Sequence, residues 1–132
     1  MQKPKLLLVE DNRILRWWMR TGLEQAGFSV EAAPCAEEAR WLCACFPFDV
    51  LVTDWQLSDG HSGFEVLAEL RSKRPRCLAV LVSARADAEL AARAWQAGFD
   101  LVLQKPLRIA EIVGAIYSLI GERGLEVGHE AA

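Results

Sequence analysis

Several signatures of common protein classes are missing from this chain of 132 residues. No apolar run approaches the roughly 20 residues that a membrane-spanning helix needs, so we expect no contact with a membrane. The apolar stretch Leu6 to Val9 near the N-terminus is too short for a signal peptide, and a cytoplasmic location is therefore expected. The net charge of −3 argues against a basic surface, so no direct binding of nucleic acid is expected.

Motifs for the commonest metal, redox and nucleotide sites are also missing. The four cysteines, Cys35, Cys43, Cys45 and Cys77, form no CxxC pair, and the two histidines lie elsewhere in the chain. We interpret these cysteines as packing residues rather than as metal or redox groups. The chain has no GxxxxGK[ST] motif and no glycine-rich phosphate cradle, which leaves nucleotide binding without support.

What the sequence does contain is a regular alternation of short apolar runs with stretches of helical periodicity. With 52% hydrophobic and 25% charged residues, the composition is that of one globular domain. The predicted strands are residues 5–10, 28–33, 49–54, 77–84 and 99–104. The predicted helices are residues 12–27, 35–46, 62–74, 87–98 and 107–124, most of them ended by glycine or proline.

This alternation amounts to five βα units. Strands that are apolar on both faces and separated by helices predict a parallel sheet covered on both sides. We therefore predict an α/β fold, a doubly wound, flavodoxin-like (βα)₅ domain with a five-stranded parallel sheet and helices on both faces. We expect this domain to occupy residues 1–122 and residues 123–132 to form a flexible C-terminal tail or linker.

Polar side chains follow four of the predicted strands at their carboxyl ends, the edge of a parallel sheet where ligands bind. They are Glu10 and Asp11 after the first strand, Asp54 and Ser83 at the ends of the third and fourth, and Lys105 after the fifth. Three carboxylates beside one ammonium leave excess negative charge, which a divalent cation such as Mg²⁺ would neutralise through oxygen ligands. The sequence therefore predicts a Mg²⁺ site that includes Asp11 and Asp54.

Asp54 ends a predicted buried strand, where an isolated charge costs stability unless another group compensates it. A carboxylate in this position can attack phosphorus as a nucleophile and form an acyl phosphate. Phosphoryl transfer depends mainly on neutralising the charge of the equatorial oxygens, which a metal ion and Lys105 would do. The Ser83 hydroxyl would donate a hydrogen bond to the phosphoryl group.

Four segments of the chain resemble, in order and spacing, the receiver domain of response regulators in bacterial two-component signalling. They are LLLVEDN, LVTDWQLSDG, VLVSA and LQKP, and the resemblance extends from Lys5 to about Ile120. It implies a signalling domain that takes a phosphoryl group from a histidine kinase or a histidine phosphotransfer protein. Phosphorylation would depend on Mg²⁺, for which Mn²⁺ can substitute, and would switch the domain between two conformations.

The resemblance also assigns roles to single residues. Asp54 would be the phosphoacceptor. Glu10, Asp11, Asp54 and the backbone carbonyl of Gln56 would bind the metal, and Ser83 and Lys105 would contact the phosphoryl group. Many receivers have a cis peptide bond after this lysine, so Pro106 is a candidate for one.

Some positions depart from the pattern of the family. The aromatic residue usually found three positions before the lysine is Val102 here, so the coupled serine and aromatic switch lacks one member. The third loop is one residue longer than the commonest version and has Ser58 where proline is common. This loop resembles those of receivers attached to hybrid histidine kinases, so the chain is interpreted as a domain of such a kinase or as a free-standing regulator.

Aromatic residues provide candidate contact surfaces. Trp17 and Trp18 are adjacent on the first helix and cannot both face the core, so we expect an exposed tryptophan where receivers often dock their kinases. Trp55 follows Asp54 and is expected beside the site. Trp95 lies on or near a surface that many receivers use for dimerisation, which is compatible with a weak homodimer, and His61 is expected in an exposed loop.

Two other interpretations stay open. A receiver-like interaction module that is never phosphorylated would explain Val102, although the complete acidic site argues against it. A Mg²⁺-dependent phosphatase or phosphotransferase would usually place a second aspartate two residues after the nucleophile, where this chain has Gln56. Gln56 cannot act as a general base, so we expect a long-lived acyl phosphate and no metabolic enzyme, although the domain would catalyse its own phosphorylation and dephosphorylation.

Overall fold

The computed structural model describes residues 3–85 and 87–123 and contains alternating strands and helices. The strands are β1 (Lys5–Val9), β2 (Ser29–Ala33), β3 (Val50–Thr53), β4 (Leu78–Ser83) and β5 (Leu101–Gln104). The helices are α1 (Arg13–Gln25), α2 (Ala36–Cys45), α3 (Gly63–Lys73), α4 (Ala88–Ala97) and α5 (Ile109–Arg123). All neighbouring strands are parallel, in the order β2-β1-β3-β4-β5, which confirms the predicted doubly wound (βα)₅ fold.

The two faces of the sheet bury separate groups of side chains because successive residues of a strand point to opposite sides. In β1, Leu7 and Val9 pack with α2, α3 and α4, whereas Leu6 and Leu8 pack with α1 and α5. The helices therefore cover both faces of the sheet, as predicted. Among the described residues, no helix is both long and apolar enough to cross a membrane.

Helix α1 exposes more apolar surface than its sequence predicts. Ile14 stands at helical spacing with the apolar residues Trp18 and Leu23, yet 79% of this residue is exposed. The helix buries Met19 and Leu23, and Ile14 lies outside the stripe that they define at i, i+4 spacing. Trp17 and Trp18 are both exposed, by 67% and 42%. The outer surface of α1 is therefore unusually aromatic.

A side chain holds the first turn of α1 beside the carboxyl end of β1. The Asn12 Oδ1 atom accepts a hydrogen bond of 2.9 Å from the backbone N–H of Leu15, which satisfies a donor at the helix start. We expect Asn12→Ala to lower the free energy of unfolding by about 1 kcal/mol. Urea unfolding would measure the change, and Asn12→Ser, which keeps a capping oxygen, should stay close to the native value. Equal losses in both variants would contradict a capping role.

The predicted domain boundary at residue 122 falls in the last turn of α5. The predicted C-terminal tail lies almost entirely outside the described residues, so its structure stays a prediction.

Candidate functional site

The strand ends bring the predicted polar residues together. Val9 is paired with Thr53 across β1 and β3, and Ser83 with Gln104 across β4 and β5. The residues that follow these pairs therefore meet at one edge of the sheet. Glu10 and Ser83 are almost completely buried there, whereas Asp11 is exposed.

Lys105 bridges two of the three carboxylates. Its Nζ atom lies 2.7 Å from Glu10 Oε1 and 2.8 Å from Asp54 Oδ2, and all three side chains are largely shielded from solvent. Burial raises the pKa of Glu10 above its ordinary value, although the lysine opposes this effect. Burial alone would lower the pKa of Lys105, but its hydrogen bonds to Asp54 and Glu10 raise it. The lysine is therefore charged at neutral pH.

The carboxylates form a group suited to a hard divalent cation. One oxygen from each of Glu10, Asp11 and Asp54 lies within 4.8 Å of the others. The Lys105 ammonium pairs with Glu10 and Asp54, whereas Asp11 takes part in no ion pair among the residues that the structure describes. The Arg16 guanidinium donates to the backbone carbonyls of Glu10 and Asp11, at 2.8 and 3.4 Å. The oxygen donors match the ligands that Mg²⁺ prefers. These residues fit a magnesium ion.

A cavity of about 460 Å³ opens beside this group. Its walls include Asp11, Asp54, Gln56, Ser83 and Arg85. The predicted metal ligand Gln56 therefore borders the same space as the acidic residues and the serine hydroxyl.

The Asp54 carboxylate is held in one orientation. Its Oδ2 atom accepts from Lys105, and its Oδ1 atom accepts a hydrogen bond of 2.7 Å from the backbone N–H of Trp55. The Trp55 carbonyl in turn accepts a hydrogen bond of 2.7 Å from the backbone N–H of Gly63, the first residue of α3. The loop that follows Asp54 is thus fixed at both ends.

The third loop is also attached to α2. Asp59 accepts a hydrogen bond of 3.0 Å from the backbone N–H of Glu37 in the first turn of that helix. Leu57 is buried, and its N–H donates to the carbonyl of His61 at 3.0 Å. His61 is exposed, and its Nδ1 atom lies 3.1 Å from Glu65 Oε1. The longer loop therefore has a defined shape.

Ser83 and the residues after β5 complete the site. The Ser83 Oγ atom accepts a hydrogen bond of 3.2 Å from the backbone N–H of Arg85, so its own hydrogen stays available to donate. The Lys105–Pro106 peptide bond is cis. Val102 is half-buried and packs against the same apolar cluster as Trp55.

Two arginines beside Trp55 were not expected from the sequence. The Arg85 guanidinium carbon lies 5.1 Å from the centre of the indole, and that of Arg93 lies 5.5 Å from it. Both distances fit cation–π contacts. The only available signal was the position of Arg85 two residues after Ser83, and the sequence does not show that α4 brings Arg93 to the same ring.

A second cavity, of about 520 Å³, adjoins the site on the side of α1. It is mostly apolar, and its walls include Leu15, Trp18, Met19, Leu107 and Lys105. Ala84 lines this cavity and also the cavity beside Asp54. Trp18, one of the two exposed tryptophans of α1, is part of this wall.

Comparison with curated proteins identifies relatives over most of the chain. A sequence model of the response regulator receiver domain matches residues 6–117. The two-component response regulator PhoP of Pseudomonas aeruginosa is 33% identical over 116 residues, which are 88% of this chain and 51% of PhoP. A cyclic di-GMP phosphodiesterase of Thermotoga maritima is 35% identical over 104 residues, or 79% of this chain and 27% of that protein. The chain thus spans about half of the first relative and about a quarter of the second.

The solved structures that resemble this chain include receiver domains as well. The non-phosphorylated receiver domain of HemR from Leptospira biflexa is 29% identical, with a TM-score of 0.81 over 97% of this chain and 100% of that one. A CheY-like receiver domain protein from Methanospirillum hungatei JF-1, 24% identical, shares the fold with a TM-score of 0.85 over 93% of this chain and 98% of that one. The resemblance seen in the four sequence segments is confirmed. The chain belongs to the response regulator receiver domain family, the phosphoacceptor domains of two-component signalling.

Proposed function

We propose that Asp54 of this receiver accepts a phosphoryl group from a phosphohistidine of a histidine kinase or a histidine phosphotransfer protein. A carboxylate oxygen of Asp54 attacks phosphorus, the P–N bond breaks, and its electron pair stays on the imidazole nitrogen. The observation that carries the proposal is the bridge from Lys105 to Glu10 and Asp54 within a group of three carboxylates. This arrangement holds the nucleophile still and places a cation beside it.

The residues around Asp54 have separate tasks. Glu10, Asp11, Asp54 and the Gln56 carbonyl would hold Mg²⁺, or Mn²⁺ in its place. When bound, the metal supplies positive charge that offsets the charge of the phosphoryl oxygens. Lys105 contributes a further positive charge, and the free hydrogen of Ser83 can donate to a phosphoryl oxygen.

The partner has to cover this edge of the sheet, because its phosphohistidine must reach Asp54. The apolar cavity beside Lys105 and the exposed Trp17 and Trp18 support docking of an apolar helix face of the phosphodonor against α1. The reaction needs close contact between two proteins, and α1 offers exposed apolar surface next to the apolar cavity that Lys105 lines.

The domain would act as a signalling module of residues 1–122 and not as a metabolic enzyme. Its attachment to a hybrid kinase, a weak homodimer and the lack of contact with nucleic acid or membrane stay predictions from the sequence. Val102 favours one alternative, a receiver-like interaction module that is not phosphorylated.

Intact-protein mass spectrometry after incubation with acetyl phosphate tests the proposal. We expect one added phosphoryl group on the wild type with Mg²⁺, and none with a chelator or in Asp54→Asn. Asp59→Asn is the matched control, because Asp59 is an exposed carboxylate of the following loop, and it should be phosphorylated normally. An adduct on Asp54→Asn would contradict the assignment. Folded wild type that accepts phosphate neither from acetyl phosphate nor from phosphohistidine donors would favour the interaction module.

A further inference from the structure

Arg85 occupies a position that the proposed chemistry does not yet use. It lies in the loop between β4 and α4, two residues after Ser83, and borders the cavity that contains Asp54. Its guanidinium lies over the indole of Trp55, the residue next to Asp54. The indole therefore holds the positive charge of Arg85 beside the cavity that contains Asp54.

The present partners of Arg85 hold it weakly. Its guanidinium pairs with Asp87 and lies 3.6 Å from Glu89. All three side chains are well exposed, with 43% of Arg85, 49% of Asp87 and 75% of Glu89 accessible. Exposed ion pairs of this kind contribute little to stability because water screens them. A stronger anion nearby would therefore attract the guanidinium away from them.

Phosphorylation would create such an anion. A phosphoryl group adds a charge of about −1.5 to −2 and three strong acceptor oxygens. Lys105 is already shared between Glu10 and Asp54, so it cannot pair with all of these oxygens. The planar guanidinium of Arg85 can bind two of them at once.

We propose that Arg85 is a second phosphoryl-binding cation of this receiver and that it exchanges Asp87 for the phosphoryl group on Asp54. The inference rests on the proposed phosphorylation of Asp54 and extends it to a residue outside the predicted site. Asp87 caps α4, since its Oδ1 atom accepts a hydrogen bond of 2.9 Å from the backbone N–H of Leu90. The exchange links the charge on Asp54 to the beginning of α4. This chain has Val102 at the position where receivers usually have the aromatic residue of the switch.

Arg93 provides a matched control on the same ring. Its guanidinium carbon lies 5.5 Å from the Trp55 indole and 5.7 Å from the Phe64 ring. Arg93 lies on α4 and is not among the residues that border the acidic cavity. If Arg85 acted only by packing on Trp55, the two arginines would behave alike.

Titration calorimetry with beryllium fluoride, a phosphoryl mimic, in the presence of Mg²⁺ tests the proposal on the whole chain. Arg85→Met keeps a long side chain over Trp55 but removes the charge, and we expect about tenfold weaker binding, as for loss of one hydrogen bond to a charged group. Arg93→Met should bind within about twofold of the wild type. Asp87→Asn keeps a good capping residue but weakens the competing ion pair, so binding should become about twofold tighter.

The outcomes distinguish the proposed role of Arg85 from the proposed phosphorylation of Asp54. Weaker binding by Arg85→Met alone, together with tighter binding by Asp87→Asn, supports the exchange. Equal affinities for the wild type, Arg85→Met and Arg93→Met would overturn the role of Arg85 while leaving phosphorylation of Asp54 intact. Failure of the wild type to bind beryllium fluoride and to form an acyl phosphate would overturn both.

Discussion

Gly63→Ala should lower the free energy of unfolding by about 3 kcal/mol, the upper end of the usual cost of overpacking. A Cβ atom at this position would lie 2.2 Å from the carbonyl oxygen of Asp54 and 2.8 Å from Cγ2 of Thr53. The nearest atom belongs to the backbone of the strand end, so it cannot rotate away. The first turn of α3 would have to move, and the hydrogen bond from Gly63 to Trp55 would lengthen.

Urea unfolding would measure this loss, and the same variant should accept little phosphate because the displaced backbone carries Asp54. Gly114→Ala is the matched control. A Cβ atom at Gly114, inside α5, meets nothing within 4 Å, so alanine should stabilise the helix by about 0.5–1 kcal/mol. Native stability in Gly63→Ala would show that the backbone there has room that the structure does not suggest.

Lys105→Met should also destabilise the protein at neutral pH without Mg²⁺, by about 3 kcal/mol. The reason is that removing one partner of a buried ion pair leaves the other charge uncompensated. Here the buried Glu10 and the shielded Asp54 would face each other without a cation. Methionine keeps the length and apolar stem of the lysine, so the lost charge dominates the effect.

The loss in Lys105→Met should depend on pH in a defined direction. Burial already raises the pKa of Glu10 above its ordinary value of 4.5, and the lysine is the main opposing influence. Without the lysine the pKa rises further. A carboxyl whose pKa is higher in the folded state stabilises the fold at low pH and loses this contribution as the pH rises. The variant should therefore regain stability relative to the wild type as the pH falls from 7 towards 5.

Urea unfolding at pH 7 and pH 5, with and without Mg²⁺, would measure both effects. We expect Mg²⁺ to restore part of the lost stability at pH 7, because a divalent cation replaces the missing charge. Lys73→Met is the control, since Lys73 forms an exposed pair with Glu69 at 3.8 Å and should cost less than about 0.5 kcal/mol. A loss in Lys105→Met that is independent of pH and Mg²⁺ would argue against charge compensation.

The elements and the acidic site were predictable because both follow from local patterns. Apolar runs and helical periodicity define strands and helices without knowledge of distant residues. In a parallel sheet, the carboxyl ends of all strands lie at the same edge of the sheet. This rule predicts that Lys105 lies near Asp54 and Glu10, although 51 residues separate it from Asp54 and 95 residues separate it from Glu10.

Other features depend on contacts that no local pattern contains. The sequence predicts that Gly63 lies at the start of a helix. Only the structure shows that a Cβ atom at this position would collide with the carbonyl oxygen of Asp54. Ile14 fits a helical repeat but is exposed, because the neighbours of α1 determine which part of the repeat is covered.

The sequence by itself determined the fold, the sheet edge that carries the site and the residue types that meet there, because hydrophobic period and strand direction are local properties. Only the tertiary structure decided that Trp55 lies against both Arg85 and Arg93, and that Trp18 of α1 lines the same apolar cavity as Lys105. These contacts depend on how loops and helices pack across the sheet, and packing geometry is a property of the assembled chain.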